Sequence, residues 1–104
     1  MNDYNVVLSQ EAEADLQDYI DYIMSTYKYK APLTALRHYE DIFNILRTLN
    51  NMPESYSIQT GTSFLRFGAN VRRINYKKMA IIYTVHGGIV YIHRIIAANL
   101  IKNL

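Results

Sequence analysis

Seven cations and a histidine dominate the chemistry available to the second half of this 104-residue chain. They are Arg66, Arg72, Arg73, Lys77, Lys78, Arg94 and Lys102, with His93 beside Arg94. Guanidinium and ammonium groups hold phosphates and stabilise charge developing on a phosphoryl centre, and a histidine moves protons near neutral pH. Such a set could bind an anionic polymer or help cleave a phosphodiester. Cleavage by a 2′-hydroxyl needs a base, cationic donors at the pentacoordinate phosphate and an acid at the leaving oxygen. The same residues have a plainer reading. Arg72, Arg73, Lys77 and Lys78 could be solvated positions on an outer sheet face and turn. Arg94, between Ile92 and Ile96, could lay its stem on an apolar strand face and give its head to a helix carboxylate. His93 then reads as a surface or partly packed strand residue, and His38 as a packing residue on a helix.

The arrangement of charge along the chain is stronger evidence than any one residue. The last acidic residue is Glu54. Up to that point nine carboxylates face four bases, a net of −5; beyond it seven bases face no acid, a net of +7. A lopsided charge in one small domain implies that the basic part meets something anionic. The alternative is self-neutralisation, with the acidic half folded onto the basic half. That covers part of the charge more easily than all of it, because consecutive bases on a strand point to opposite faces.

Other classes are disfavoured. There is no cysteine, so neither a disulfide framework nor a Cys-zinc site exists. His38, His86 and His93 lack metal-ligand spacing to a carboxylate cluster, so no metal and no cofactor is expected. No N-terminal apolar region resembles a signal peptide, and no segment approaches the roughly 20 apolar residues of a membrane span. The chain reads as one soluble, cytoplasmic domain over 1–104.

The elements that must position these residues follow from periodicity. Tyr4–Leu8 is a short β-like run, and Ser9 is a good N-cap with Glu11 and Glu13 in the first turn after it. Ala12, Leu16, Tyr19, Ile20, Ile23 and Tyr27 then recur at helical spacing, with Asp15, Asp18 and Asp21 on the other faces. Residues 28–31 break the helix, Pro32 suits the first turn of a second one, and Asn50, Asn51 and Pro53 end it. Two helices joined by a short break form an antiparallel hairpin. After Pro53 the period becomes 2. The stretch 54–62 is loop-like, Ser63–Phe67 is a candidate strand, and Gly68-Ala69-Asn70 is a turn. Val71–Tyr76, Met79–His86 and Ile89–Ile96 follow as strands, the last two joined at Gly87-Gly88. The expected class is α+β in the order β-α-α-β-β-β, a helical hairpin packed on an antiparallel sheet. Of ten tyrosines, Tyr19, Tyr27 and Tyr39 fall on core stripes, whereas Tyr22 and Tyr29 fall off them and could form a recognition surface.

These segments, "YNVVLSQEAEADLQDYIDYI", the helix ending "LRTLNNMPES" and "VRRINYKKMAIIYTVHGGIVYIHRIIAA", together resemble the RelE/ParE superfamily of bacterial toxins. The long hairpin helices and the opening Leu8-Ser9…Asp15-Leu16 bring the chain closer to the ParE branch. The resemblance implies the toxic half of a type II toxin–antitoxin pair, also called a plasmid stabilisation protein, silenced by a cognate antitoxin. It implies one of two targets: DNA gyrase, poisoned without nuclease action, or mRNA cleaved in the ribosome. RelE-like nucleases carry an arginine in a Tyr-Arg-x-x-Tyr element. The matching stretch here is Met79–Tyr83, with Ala80 at the arginine position. Their basic step after the last strand corresponds to Ala97-Ala98-Asn99, and no Tyr or His follows His93. Most of the nuclease set is therefore missing, although Arg73 survives on the second strand. Target contacts are expected at Arg66, Arg72, Arg73, Lys77, Lys78, His93 and Arg94. An interferase built from other cations and a non-toxic nucleic-acid-binding module remain alternatives, and self-association is open.

Overall fold

The computed structural model describes residues 4–27 and 31–104. The first strand, β1 (Asn5–Leu8), leads into α1 (Gln10–Tyr27), and α2 follows (Pro32–Thr48). Three strands complete the sheet: β2 (Arg72–Tyr76), β3 (Met79–His86) and β4 (Ile89–Ala97). Short 3₁₀ turns occupy Pro53–Ser55, Thr62–Phe67 and Ala98–Asn103. Sheet order is β1-β4-β3-β2. The β2–β3 and β3–β4 pairs are antiparallel, as their two-residue turns require, while β1 joins β4 in parallel, Asn5 opposite Ile89 and Leu8 opposite Ile92. The sheet is thus mixed. The β1 partner lies more than eighty residues away, across the helical hairpin, where no local sequence signal reaches.

Helix starts follow the expected chemistry. The Ser9 Oγ accepts from the Ala12 N–H at 3.0 Å and donates to the His93 carbonyl at 3.0 Å, so one hydroxyl caps α1 and ties it to β4. Pro32 stands in the first turn of α2, where its missing N–H costs nothing. The break expected over 28–31 lies largely outside the described residues, as does Tyr29. Ser63–Phe67, expected as a strand, is instead part of the 3₁₀ segment Thr62–Phe67. Its Phe64 and Phe67 turn toward one apolar cluster, which a strand with alternating faces would not allow.

The sheet has two covered faces. Ile74, Ile81, Tyr83, Val90, Ile92 and Ile95 pack against Ala12, Tyr19 and Ile23 of α1 and Ala35, Ile42 and Leu46 of α2. On the reverse face Val71, Ala80, Ile82 and Ile96 are covered by Phe64 and by Ile101 of the C-terminal 3₁₀ turn. Coverage from both sides explains why β3 is nearly all buried. Among the described residues, no helix is long and apolar enough to cross a membrane.

Candidate functional site

The junction of α1 and β4 is built around Asp15. β1 ends at Leu8, opposite Ile92, so among the described residues the outer edge of β4 has no strand neighbour beyond that point. Asp15 fills the gap. Its carboxylate accepts from Arg94 Nε at 2.7 Å and Nη2 at 3.1 Å, and its Oδ2 also accepts from the Ile95 backbone N–H at 2.9 Å. A register shift lies between Ile82 and Tyr83, opposite Ile92–Arg94, and it sets Arg94 opposite Ile82 at the edge where Asp15 meets β4. Asp15 raises the Arg94 pKa, chiefly through its hydrogen bonds, and holds the guanidinium charged. Glu11, one turn earlier, lies 3.8 Å from Arg94 Nη1 and 3.6 Å from Arg66. Arg66 also covers the Phe67 ring at 5.0 Å, and that ring packs on His93 at 5.0 Å.

His93 is half-buried, and its Nε2 lies 2.8 Å from the Oγ1 of fully buried Thr84. Burial, with a smaller contribution from His86, lowers its pKa and favours the neutral ring. Arg66, His93 and Arg94 therefore share one neighbourhood, but their polar atoms are engaged by Glu11, Thr84 and Asp15.

Arg72 and Arg73 sit on the edge strand β2 at the opposite side of the sheet. Arg72 Nη1 donates to the carbonyls of Glu54 (3.0 Å) and Tyr56 (2.6 Å), and Nη2 lies 3.9 Å from the Glu54 carboxylate. It pins the loop after α2 and is not a solvated residue. Arg73 Nε donates to Asn75 Oδ1 at 2.8 Å. Lys77 and Lys78 form the exposed turn between β2 and β3. Lys77 adopts the left-handed φ of 53°, with its ammonium 5.7 Å above the Tyr76 ring. Among the described residues, Arg73, Lys77, Lys78 and Lys102 have no ion-pair partner, whereas Arg66, Arg72 and Arg94 do. Self-neutralisation thus absorbs three of the seven cations and leaves the turn free.

A cavity of about 750 Å³ opens between α1, the end of β4 and this turn. Asp18 and Tyr22 of α1 line one side, Lys77, Lys78 and Arg94 another, and His38 of α2 the end. His38 stacks on Tyr27 (5.2 Å, 10° between planes) and lies 3.2 Å from the Tyr76 hydroxyl, which donates to Asp41 at 3.0 Å. Sequence reasoning offered the Arg94 head a helix carboxylate, which proves to be Asp15, but it gave no role to Asp18, Asp41 or the Tyr76 hydroxyl. The signal for Asp15 was Arg94, a guanidinium inside an apolar strand that required a counter-ion. The Asp41–Tyr76 contact had none, because it joins α2 to β2 across the core.

Ala80 is fully buried in the reverse-face cluster with Ile82 and Ile101. A long cationic side chain could not enter that position without displacing the C-terminal turn.

A family model described as the ParE toxin of the type II toxin–antitoxin system, parDE, matches residues 6–99. Among solved structures, a chain described as "Chromosomal ParDE TA system from P. aeruginosa" superposes with a TM-score of 0.68 at 18% identity, covering 93% of this chain and 98% of that one. At that identity the structural likeness speaks for the fold. No curated protein matches.

Proposed function

This chain belongs to the ParE toxin family and is the toxin component of a type II toxin–antitoxin system with a cognate antitoxin as its partner, and we propose that it arrests growth by binding a macromolecular target, DNA gyrase, and not by cleaving mRNA. One observation carries this reading: the position that RelE-like nucleases give to an arginine is Ala80, a methyl group sealed beneath Ile101. The remaining parts of a cleavage site are engaged elsewhere. Arg94 is bound to Asp15, Arg72 to loop carbonyls, and the His93 imidazole to Thr84. A general base must reach the proton it takes, and His93 is half-buried with its Nε2 already occupied.

Binding falls to the cations that have no ion-pair partner among the described residues. Arg73, Lys77 and Lys78 lie on β2 and the turn after it, and they offer ammonium and guanidinium groups to an acidic protein surface or to DNA held by an enzyme. The test is expression from a tight promoter with and without the neighbouring gene. Growth arrest with gyrase-linked DNA breaks, inhibited supercoiling by purified gyrase and intact mRNA supports the proposal. Truncated mRNA with normal supercoiling overturns it in favour of an interferase.

A further inference from the structure

We propose that the cavity between α1, the end of β4 and the β2–β3 turn binds a nucleoside phosphate. It would do so by stacking the base on Tyr22 and holding the phosphates at Lys77 and Lys78. This goes beyond the growth-arrest reading and does not depend on which macromolecule is the target.

Four observations converge on this ligand class. The cavity, about 750 Å³, is of the size that holds a small molecule, and apolar groups dominate its lining with a few polar ones converging on it. Its aromatic surface is accessible: Tyr22 is 58% exposed although it lies on the cavity wall. Every base has a π-face, so an exposed tyrosine ring beside ammonium groups is suited to stacking. Lys77 and Lys78 are adjacent, exposed residues of one tight turn, and both line the cavity. Lysine at position 77 is also not explained by the turn itself. Its left-handed φ of 53° suits glycine or asparagine far better, so turn geometry disfavours the residue found there.

A carboxylate beside these cations adds an acceptor for the sugar or the base. Asp18 is exposed on the cavity wall near the same turn. It can accept from an exocyclic base amine or a ribose hydroxyl. The far wall is held firm by the Tyr27–His38 stack and by the Tyr76 hydroxyl on Asp41, so the site needs little ordering before a ligand enters.

The experiment titrates the purified full chain with ADP, adenosine and inorganic pyrophosphate by calorimetry. NMR amide shifts then report where each binds. ADP should bind with shifts centred on residues 18–27 and 76–79, and adenosine and pyrophosphate should each bind at least about tenfold more weakly, because each makes only half of the contacts. Tyr22→Ala and the double variant Lys77→Ala/Lys78→Ala should each lower ADP affinity at least about tenfold, while Arg47→Ala, at the far end of α2, leaves it unchanged. A short oligonucleotide with a 5′-phosphate distinguishes the sources. Tighter binding than ADP at the same residues identifies the end of a strand as the ligand, and weaker binding identifies a free nucleotide. Pyrophosphate equal to ADP would reduce the site to a patch of cations and overturn the proposal. So would ADP affinity unchanged in Tyr22→Ala, or no ADP binding up to about 10 mM.

Discussion

Replacing Asp15 by alanine tests the α1–β4 junction most directly. The carboxylate accepts three hydrogen bonds, two from Arg94 and one from the Ile95 N–H. Its side chain is 12% exposed and that of Arg94 is 21% exposed, so the pair is mostly shielded from water. Removing one member of a buried pair costs about 3–5 kcal/mol because the other charge is left stranded. Partial exposure of Arg94, and Glu11 at 3.8 Å, offset some of that, while the orphaned Ile95 N–H adds about 1 kcal/mol or more. The expected loss is about 2–4 kcal/mol. In a domain of about 100 residues each kcal/mol moves Tm by roughly 4–8 °C, so Asp15→Ala should melt on the order of 10–25 °C lower. Asp15→Asn retains an acceptor for Ile95 and should fall between the two. The assay is denaturant unfolding of wild type, Asp15→Ala, Arg94→Ala and the double variant. A coupling energy of about 1.5 kcal/mol or more between the two sites is expected. Coupling near zero, or an Asp15→Ala loss below about 0.5 kcal/mol, would refute the claim that this carboxylate substitutes for the absent strand neighbour of β4.

Three further outcomes follow from the same structure. Arg73→Ala/Lys77→Ala/Lys78→Ala should keep Tm within a few degrees while reducing toxicity in a growth assay, since surface changes usually shift stability by about 0.5 kcal/mol or less; Arg72→Ala should instead lower stability by about 1–3 kcal/mol, because two loop carbonyls lose their donor. His93 has a pKa held below its ordinary value of 6.5 by burial, so the unfolded chain takes up that proton first; Tm should fall as pH drops through about 6.5, level off below the folded pKa, and lose this slope in His93→Gln. The Tyr83 hydroxyl, buried and donating to the Pro53 carbonyl, has its pKa pushed up to about 12. Its contribution is complete below the ordinary tyrosine value of 10 and is lost as pH rises through about 12; Tyr83→Phe should cost about 1–2 kcal/mol at neutral pH and weaken that alkaline dependence, both measurable by urea unfolding.

The candidate cations illustrate why composition is easier to read than contact. Seven bases without an acid after Glu54 are visible in the chain, and they imply an anionic encounter. Which of them are available depends on which acids fold back upon them. Glu11 and Asp15 take Arg66 and Arg94, and Glu54 takes Arg72. Arg72 and Arg73 look equivalent as neighbours on a strand, yet one turns to the loop after α2 and the other to Asn75. The local pattern assigns alternate faces, but not what waits on each face.

Much of the architecture was local and therefore legible. Ser9 caps α1, Pro32 opens α2, and the Gly87-Gly88 turn folds β3 onto β4, because each rests on the chemistry of a few adjacent residues. The order of elements and the helical hairpin on a sheet followed from the switch of period near Pro53. Three features depended on partners distant in sequence. The parallel pairing of β1 with β4, the pairing of Arg94 with Asp15, and the cover that Phe64 and Ile101 lay over Ala80 all join segments brought together only by packing. The sequence by itself determined the two helices and the strands of the sheet, though not the 3₁₀ segment Thr62–Phe67, together with the charge asymmetry and the two hydrophobic periodicities. The tertiary structure decided which cations remain unpaired and which cavity they line, because ion pairing and burial are set by separation in space and the energy of a charge depends on what surrounds it.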